Sequence, residues 1–356
     1  MDAPLQRHLA RVQIITPLSI LLNLASLVVC SILIHPSLKE IHETHITQFT
    51  PNPNFILLYW GVLFLLQIGF AVLIVVSQKE FTKKTIVYGV GVRLAISNLL
   101  LGAWAITWVV NNHASFLAGL VLLSLIGVLL LLTALILAVK YPPSSSRPLD
   151  WLFIHVPIKM FLVITLQVDI PQMLFMALGW YDTPKSTETD IRALWPSFGI
   201  LAGVGALSAI WIFAATDITW AISGIFLYFA LLYSKTPELH DRRPEIVAAI
   251  ILSMVLQAVA LLGSLLYKWL GSYSQAEVDH EQEGRVALGR NPQEEAAALR
   301  AEAEAEAAAA AARERSLSEA QHHDQSDAGD TSTAASDHAS SLERGENNIK
   351  VSRRLG

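Results

Sequence analysis

The sequence predicts an all-α protein, a polytopic transmembrane helix bundle of about eight helices followed by a disordered, partly helical C-terminal tail. Hydrophobic residues make up 53% of the chain and charged residues only 15%, against roughly a quarter in a soluble domain. The charges are also segregated, because 17 of the 30 acidic residues but only 9 of the 25 basic residues follow residue 270. The chain therefore divides into an apolar bundle, residues 12–270, and an acidic low-complexity tail, residues 271–356.

Each predicted span is a run of about 20 mainly apolar residues, the length of helix that crosses the hydrocarbon core of a bilayer. Charged residues or prolines bound the runs, as in the breaker Tyr141-Pro142-Pro143-Ser144. Residues 1–11 form a short N-terminal segment before the first run. The runs lie near residues 12–34, 55–77, 86–110, 115–139, 151–180, 193–214, 218–234 and 246–267.

The apolar stretch of residues 193–234 must fold back on itself. As one helix it would extend for about 63 Å, twice the thickness of the hydrocarbon core. Thr216 and Asp217 are good N-cap residues, and Trp211 and Trp220 flank them as interfacial aromatics do. The sequence therefore predicts a turn at Thr216 and Asp217, between two spans.

Positive charges in the short loops predict that the N-terminus lies in the cytosol, because cytosolic loops are enriched in Lys and Arg. With eight spans the tail returns to the same side, in an endomembrane or plasma membrane. Lys235, Arg242 and Arg243 oppose this orientation, since they then face outward. A seven-span bundle, with one helix in the interface or re-entering, is the alternative and would invert the tail. The supporting basic residues are Arg7, Arg11, Lys79, Lys83, Lys84, Lys140 and Arg147.

A helix is predicted to start in the acidic tail at Asn291, because an N-cap residue is followed there by Pro292 at the first helical position. The Ala/Glu-rich segment 292–320 is a strong helix former with only Leu299 and Leu317 as large apolar residues, so we expect a solvated helix. The Ser, Thr, Asp and His mixture after it is typical of disorder. Such a tail could recruit a protein partner.

Several functions are excluded or disfavoured by what the chain lacks. It offers no clustered basic face for nucleic acid, and its single cysteine, Cys30, lies inside the first apolar run. No phosphate-binding glycine loop, nucleophile elbow or paired acidic motif is present, so we expect no enzyme, no cofactor and no metal. The pair His42-x-x-His45 has the spacing of a two-ligand metal clip, but loop histidines are usually solvated.

Three ionisable residues fall inside predicted spans, where such groups are costly and often functional. Asp169 is the deepest and is followed by Pro171, which should kink the helix. Lys159 lies about 15 Å away along the same helix, too far for a direct pair, so Arg93 is the predicted partner of Asp169. For Lys159 we expect its amine to reach the nearer interface, as long cationic side chains do.

One face of the third span carries Arg93, Ser97, Trp104 and Trp108, which are separated by four, seven and four residues. This pattern places an aromatic wall beside a charge. It suits a pocket for a flat apolar ligand with a polar edge, although a tryptophan stripe in a membrane more often serves packing.

Short motifs carry a resemblance to known families. The segments Pro51-Asn52-Pro53, Tyr59-Trp60-Gly61 and Gln67-Ile68-Gly69 resemble an uncharacterised fungal family of multi-pass membrane proteins, with the likeness covering residues 12–270. A more distant resemblance is to the TspO, or tryptophan-rich sensory, proteins. The residues that carry it are Trp60-Gly61, Asn98 with Trp104, Val156-Pro157, and Asp217 with Trp220.

The chain departs from the TspO pattern at Ile164 and Pro171, where that family has Trp and Asn, and it adds three spans to the five of the basic fold. The resemblance implies a small hydrophobic ligand, such as a porphyrin or sterol, bound within the helical bundle.

We therefore predict a non-enzymatic protein that sits in the lipid bilayer and binds or moves a small, largely apolar molecule. Two alternatives stay open: a proton-coupled transporter in which Asp169 titrates and Pro171 marks a broken helix, and a scaffold that recruits a partner through its tail. The predicted ligand-binding residues are Trp60, Arg93, Asn98, Trp104, Trp108 and Asp169.

Overall fold

The computed structural model describes residues 3–144, 147–182, 193–234, 243–289 and 299–310. The chain divides into two compact units, Met1–Tyr273 and Ser274–Gly356. The described residues of the first unit form α-helices and three π-helical turns. In chain order they are α1 (Ala3–Ile32), α2 (Leu38–Thr44), α3 (Pro53–Val76), α4 (Glu80–Lys84), π1 (Thr85–Val90), α5 (Arg93–Val110), α6 (His113–Lys140), α7 (Pro148–Asp150), π2 (Trp151–His155), α8 (Val156–Ile164), π3 (Thr165–Asp169), α9 (Ile170–Ala177), α10 (Leu194–Ala215), α11 (Ile218–Leu232) and α12 (Pro244–Gly289). Helix α12 starts in the first unit and ends in the second.

The predicted all-α membrane bundle is confirmed. Among the described residues, seven segments are long and apolar enough to cross a membrane, and an eighth apolar helix, α11, is shorter at 15 residues. Large apolar side chains such as Leu57, Leu207 and Leu262 are exposed on the outer faces of the helices. Exposed apolar faces of this extent are what contact with lipid requires. The seven long segments are Leu5–Ile32, Pro53–Val76, Arg93–Val110, His113–Lys140, Pro148–Ala177, Leu194–Ala215 and Pro244–Leu270.

The predicted third span, residues 86–110, is divided in the structure. Its first residues belong to π1, and the chain then turns at Gly91, whose φ of +56° is accessible to glycine at little cost. The membrane-spanning helix starts only at Arg93. The sequence prediction missed this division because the apolar run is continuous across Gly91.

Two tight turns join neighbouring helices at capping residues. Between α5 and α6, Asn111 adopts a left-handed conformation and Asn112 forms a capping box with Ser115. Between α10 and α11, Thr216 is left-handed, and the Asp217 carboxylate accepts a hydrogen bond from the Trp220 backbone N–H at 3.1 Å. The second turn lies at Thr216 and Asp217, the two residues at which the sequence predicts it.

The segment Pro148–Ala177 lies at the centre of the bundle and is the most buried of the spans. It combines π2, α8, π3 and α9 without a gap, and its prolines Pro157 and Pro171 sit at the start of the α-helical parts, directly after a π turn. A π turn changes the backbone hydrogen-bonding register, so the helix does not need the N–H that proline lacks. The helix therefore continues through Pro171, without the break that the proton-coupled transporter alternative expects there.

A folded segment, residues 33–52, covers one end of the bundle. Ile41 in α2 and Phe49 are fully buried, and Ile46 forms an isolated antiparallel bridge with Asp182, with N···O distances of 2.9 and 2.7 Å. The backbone N–H of Asn52 donates to the Ala230 carbonyl at 2.9 Å. This segment, which the sequence did not predict as structured, is tied to two parts of the chain by these contacts. We call it the cap.

The C-terminal helix and the tail differ in part from the prediction. Helix α12 continues to Gly289, well past the predicted span end at residue 267. In the second unit, residues 299–310 are helical and exposed, within the predicted Ala/Glu-rich helix 292–320. The other residues of that helix, and the tail from residue 311 onward, lie outside the described residues.

Candidate functional site

A cavity of about 570 Å³ lies between α1, α3, α5 and the π3–α9 junction, beneath α2 of the cap. Most of its wall is aliphatic or aromatic. Four of the predicted ligand-binding residues line it: Trp60, Trp104, Trp108 and Asp169. Residues from three separate parts of the sequence therefore converge on one site.

The convergence follows from helix geometry. Trp60 lies seven residues after the start of α3, and Trp104 lies six residues before the end of α5. Asp169 lies eight residues before the end of α9. At 1.5 Å per residue these positions are about 9 to 12 Å from the capped end of the bundle, so all three side chains reach a similar depth.

The three tryptophans form the aromatic part of the wall. The ring centroids of Trp104 and Trp108 are 5.3 Å apart, and the Trp60 ring packs against Phe161 at 5.9 Å. Trp108 donates its indole N–H to the Leu38 carbonyl in the cap at 3.3 Å. The wall is thus anchored both to the central span and to the cap.

Three polar atoms at the cavity are buried without a hydrogen-bond partner among the described residues: Asp169 Oδ2, Gln172 Nε2 and Trp104 Nε1. They comprise one acceptor and two donors. An unsatisfied polar group in an apolar environment costs on the order of 1 to 3 kcal/mol. A ligand with a polar edge would remove that cost.

The cap adds two polar residues to the same wall, Lys39 and His42. Lys39 pairs with Glu43 at 3.7 Å on the exposed side of α2. His42 Nε2 lies 3.3 Å from the Pro51 carbonyl, and burial lowers the pKa of this imidazole while that hydrogen bond and the nearby Glu43 oppose the shift. His42 is therefore held neutral beside the cavity.

Gly61 gives the cavity much of its width. A Cβ atom built on Gly61 would meet nothing within 4 Å, although the residue lies in the middle of α3 and lines the cavity. On the same helix, a Cβ on Gly69 would overlap the Phe153 ring. Glycine at position 69 therefore serves packing, whereas at position 61 it leaves open space.

The cavity opens sideways between α1 and α3. Val28 and Ile32 of α1 and Leu57 of α3 line it and also have 47%, 67% and 73% of their surface exposed. Side chains exposed at this depth of a membrane bundle face lipid. The opening therefore allows a lipid-soluble molecule to enter from the bilayer.

Arg93 and Asn98 do not line the cavity, and the predicted pairing of Arg93 with Asp169 is wrong. The Arg93 guanidinium donates to Thr133 Oγ1 at 3.0 Å and to the carbonyls of Tyr88 and Gly89. It thereby caps the end of π1 next to the Gly91 turn. A charge that satisfies nearby carbonyls in this way has no need of a distant carboxylate.

Asn98 links two helices. Its Oδ1 accepts a hydrogen bond from Asn23 Nδ2 of α1 at 2.9 Å, and its own amide donates to the Leu94 carbonyl at 3.1 Å. Both asparagines are fully buried. Asn98 therefore joins α1 to α5 behind the cavity wall.

Lys159 also departs from its prediction, because it does not extend alone to the interface. Its Nζ lies 2.7 Å from Asp217 Oδ2, and both side chains are buried. Trp211 donates its indole N–H to the same oxygen at 3.2 Å. Asp217 was predicted only as a helix cap, so its second role as a counter-charge was missed.

The two histidines of His42-x-x-His45 have separate surroundings. The His45 ring packs against Tyr181 at 4.4 Å and against Phe116 at 5.6 Å, whereas His42 faces Pro51. Within the part of the chain that the structure describes, no group of three or more His, Cys, Asp and Glu side chains is placed to hold a metal ion.

The bundle and its cavity define a class of protein: a multi-pass α-helical membrane protein with an aromatic chamber open to the bilayer. A family model described as "TSPO-like protein" matches residues 13–263, and the chain belongs to this family. No curated protein and no solved structure matches the chain. The sequence resemblance to TspO proteins is confirmed, whereas the fungal origin stays a prediction.

Proposed function

We propose that this protein binds a small, largely apolar ligand in the cavity and exchanges it with the surrounding lipid. The observation that carries the proposal is the chamber itself, whose wall combines three tryptophans, Trp60, Trp104 and Trp108, with the polar side chains of Asp169 and Gln172. The proposed role is binding or movement of a ligand, with no catalytic step.

Size and shape support a polycyclic ligand. The volume of about 570 Å³ falls within the range of about 300 to 1,000 Å³ typical of small-molecule sites. Indole rings offer flat apolar faces, which suit the flat rings of a porphyrin or the rigid rings of a sterol. Membership of the TSPO-like family supports a ligand of this class.

The polar contacts of the proposed site differ from those expected from the sequence. Asp169, Gln172 and the Trp104 indole N–H replace Arg93 and Asn98 as the groups that would orient the polar edge of the ligand. Gln172 follows Asp169 by three residues, so both side chains lie on one face of the central span.

The test is to purify the full chain in mild detergent and to identify bound small molecules by absorption spectroscopy and mass spectrometry. Trp104→Ala should lose the bound compound. Trp195→Ala is the matched control, because Trp195 is 66% exposed on α10 and does not line the cavity. A compound that is retained equally in both variants would place binding elsewhere and overturn the proposal.

A second candidate is proton-coupled transport through Asp169. The observation that favours it is an acidic side chain inside a span, with one oxygen unpartnered, two residues before a proline and at a change of helix type. In proteoliposomes with an imposed pH gradient, Asp169→Asn should abolish proton-dependent flux. Flux that persists in this variant would exclude the coupling.

A third candidate, a scaffold that acts through its tail, is distinguished by deleting residues 271–356. Under the ligand-binding proposal this truncated chain keeps its bound compound. Loss of the cellular role with retention of the compound would favour the scaffold.

A further inference from the structure

We propose that the ligand is a lipophilic amine, bound as its protonated cation with the ammonium group against Asp169. This inference rests on the proposed function and specifies the charge of the ligand. It follows from the electrostatic balance of the cavity and not from its size.

Asp169 has no cationic neighbour within ion-pair distance among the described residues, because the nearby cations are engaged elsewhere. Lys159 pairs with Asp217 at 2.7 Å, and Arg93 donates to Thr133 and to the carbonyls at the end of π1. Lys39, the only lysine on the cavity wall, pairs with Glu43 on the exposed side of α2. The positive charge that pairs with the Asp169 carboxylate would therefore come from a ligand.

A carboxylate in an apolar, water-poor site is strongly disfavoured unless a positive charge reaches it. An ammonium N–H that donates to the Asp169 carboxylate supplies a hydrogen bond and neutralises the charge at once. A neutral ligand can satisfy only the hydrogen bond. A carboxylate group placed next to Asp169 would instead be repelled, so an acidic ligand such as a porphyrin would have to direct its carboxylates away from Asp169.

The tryptophans fit the same chemistry. The faces of Trp rings attract cations more strongly than those of other side chains, and three of them line this cavity, at Trp60, Trp104 and Trp108. Trp104 and Asp169 lie at a similar depth and line the same cavity. The remaining donors, Gln172 Nε2 and Trp104 Nε1, would serve an acceptor oxygen or nitrogen elsewhere on the ligand.

The experiment compares a charged probe with its neutral isostere. The probes are 2-(naphthalen-2-yl)-N,N-dimethylethanamine, which is protonated at neutral pH, and 2-(3-methylbutyl)naphthalene, which replaces the nitrogen by carbon. Binding is measured by equilibrium dialysis against the full chain in nanodiscs of pure phosphatidylcholine, with empty nanodiscs as the blank. A zwitterionic lipid avoids attraction of the cation to the membrane surface.

We expect the wild-type chain to bind the amine about tenfold or more tightly than the isostere. Asp169→Asn should remove this preference by weakening amine binding and leave the isostere unchanged. Equal binding of both probes to the wild type would overturn the amine assignment, and this comparison needs no variant to fold.

Gly61→Leu separates the two proposals, because it fills the cavity without touching Asp169. If both probes bind the wild type equally and both are lost in Gly61→Leu, the cavity binds ligands but has no charge preference. If neither probe binds the wild type, the amine assignment is overturned. The proposal that the cavity binds an apolar ligand is then tested with the porphyrin and the sterol.

Discussion

Lys159 Nζ and Asp217 Oδ2 form a buried ion pair at 2.7 Å that joins the central span to the α10–α11 turn. Lys159 lies eleven residues into the segment that starts at Pro148, about 16 Å along its axis. Asp217 is only 4% exposed, so its carboxylate is shielded from solvent although the neighbouring Ile218 is exposed. The pair explains how an aspartate can cap a helix inside an apolar bundle.

Removing one partner of this pair should destabilise the bundle strongly. Lys159→Met leaves a buried carboxylate without its counter-charge, and we expect a loss of about 3 to 5 kcal/mol in the free energy of unfolding. The double variant Lys159→Met/Asp217→Asn should be less destabilised than the sum of the single variants. Thermal unfolding in detergent measures both effects.

The control for this prediction is the exposed pair Lys39 and Glu43, which are 3.7 Å apart with side chains 75% and 56% exposed. Lys39→Met should change the stability by no more than about 1 kcal/mol, because solvent screens an exposed pair. Similar losses at the two pairs would contradict the account of Lys159.

Arg93 should support the fold without contributing to ligand affinity. Its guanidinium donates to Thr133 Oγ1 at 3.0 Å and caps π1, so Arg93→Met should lower the melting temperature. The dissociation constant of a cavity ligand should stay within about twofold of the wild-type value. A large loss of affinity in a folded Arg93→Met protein would restore Arg93 as a ligand contact.

Two glycines of α3 should respond to alanine in opposite ways. Gly61→Ala adds a methyl group to open space and should be neutral or stabilising by up to about 1 kcal/mol, since alanine favours a helix. Gly69→Ala drives a methyl group into the Phe153 ring and should destabilise by about 1 to 3 kcal/mol. Chemical unfolding measures the change in the free energy of unfolding of the two variants. An equal change in both would contradict the packing described for α3.

Acidification should loosen the cap through His42. Burial lowers the pKa of His42 in the folded protein, so the unfolded chain binds more protons once the pH falls below the ordinary value of 6.5. The melting temperature should therefore be constant above this pH and decline below it. His42→Gln should reduce the decline, whereas His113→Gln, at the exposed first residue of α6, should not. A decline of the same size in His42→Gln would remove His42 from the explanation.

Much of the bundle could be predicted because the bilayer imposes a minimum length on apolar runs. The runs locate the long helices, and Thr216 and Asp217 mark the turn in the longest apolar stretch. The π turns and the division at Gly91 could not be read in the same way, since they change the backbone without interrupting the apolar pattern. The cap was missed because Ile41 and Phe49 are buried by contacts distant in sequence.

The candidate site could be predicted in part. The helical spacing of Trp104 and Trp108 indicates one wall, but it does not reveal which helix lies opposite. The sequence indicates that Asp169 is costly in a membrane. Charge alone predicts Arg93 as its partner, because the sequence does not show which side chains Arg93 contacts. The structure brings Lys159 to Asp217, 58 positions later in the chain, and no local pattern encodes that contact.

The most direct test of the account is ligand binding to Gly61→Leu, with Gly203→Leu as the matched control. Both glycines have open space where a Cβ atom would lie, but only Gly61 lines the cavity, whereas Gly203 is on the exposed face of α10. The probes are protoporphyrin IX, followed by quenching of tryptophan fluorescence, and dehydroergosterol, followed by energy transfer from tryptophan. The measurement uses the full chain in phosphatidylcholine nanodiscs.

The account predicts that Gly61→Leu weakens binding of at least one probe by about tenfold or more, while Gly203→Leu stays within about twofold of the wild type. Binding to Gly61→Leu with unchanged affinity would contradict a ligand site in this cavity, and so would a wild-type chain that binds neither of these probes nor the naphthyl amine.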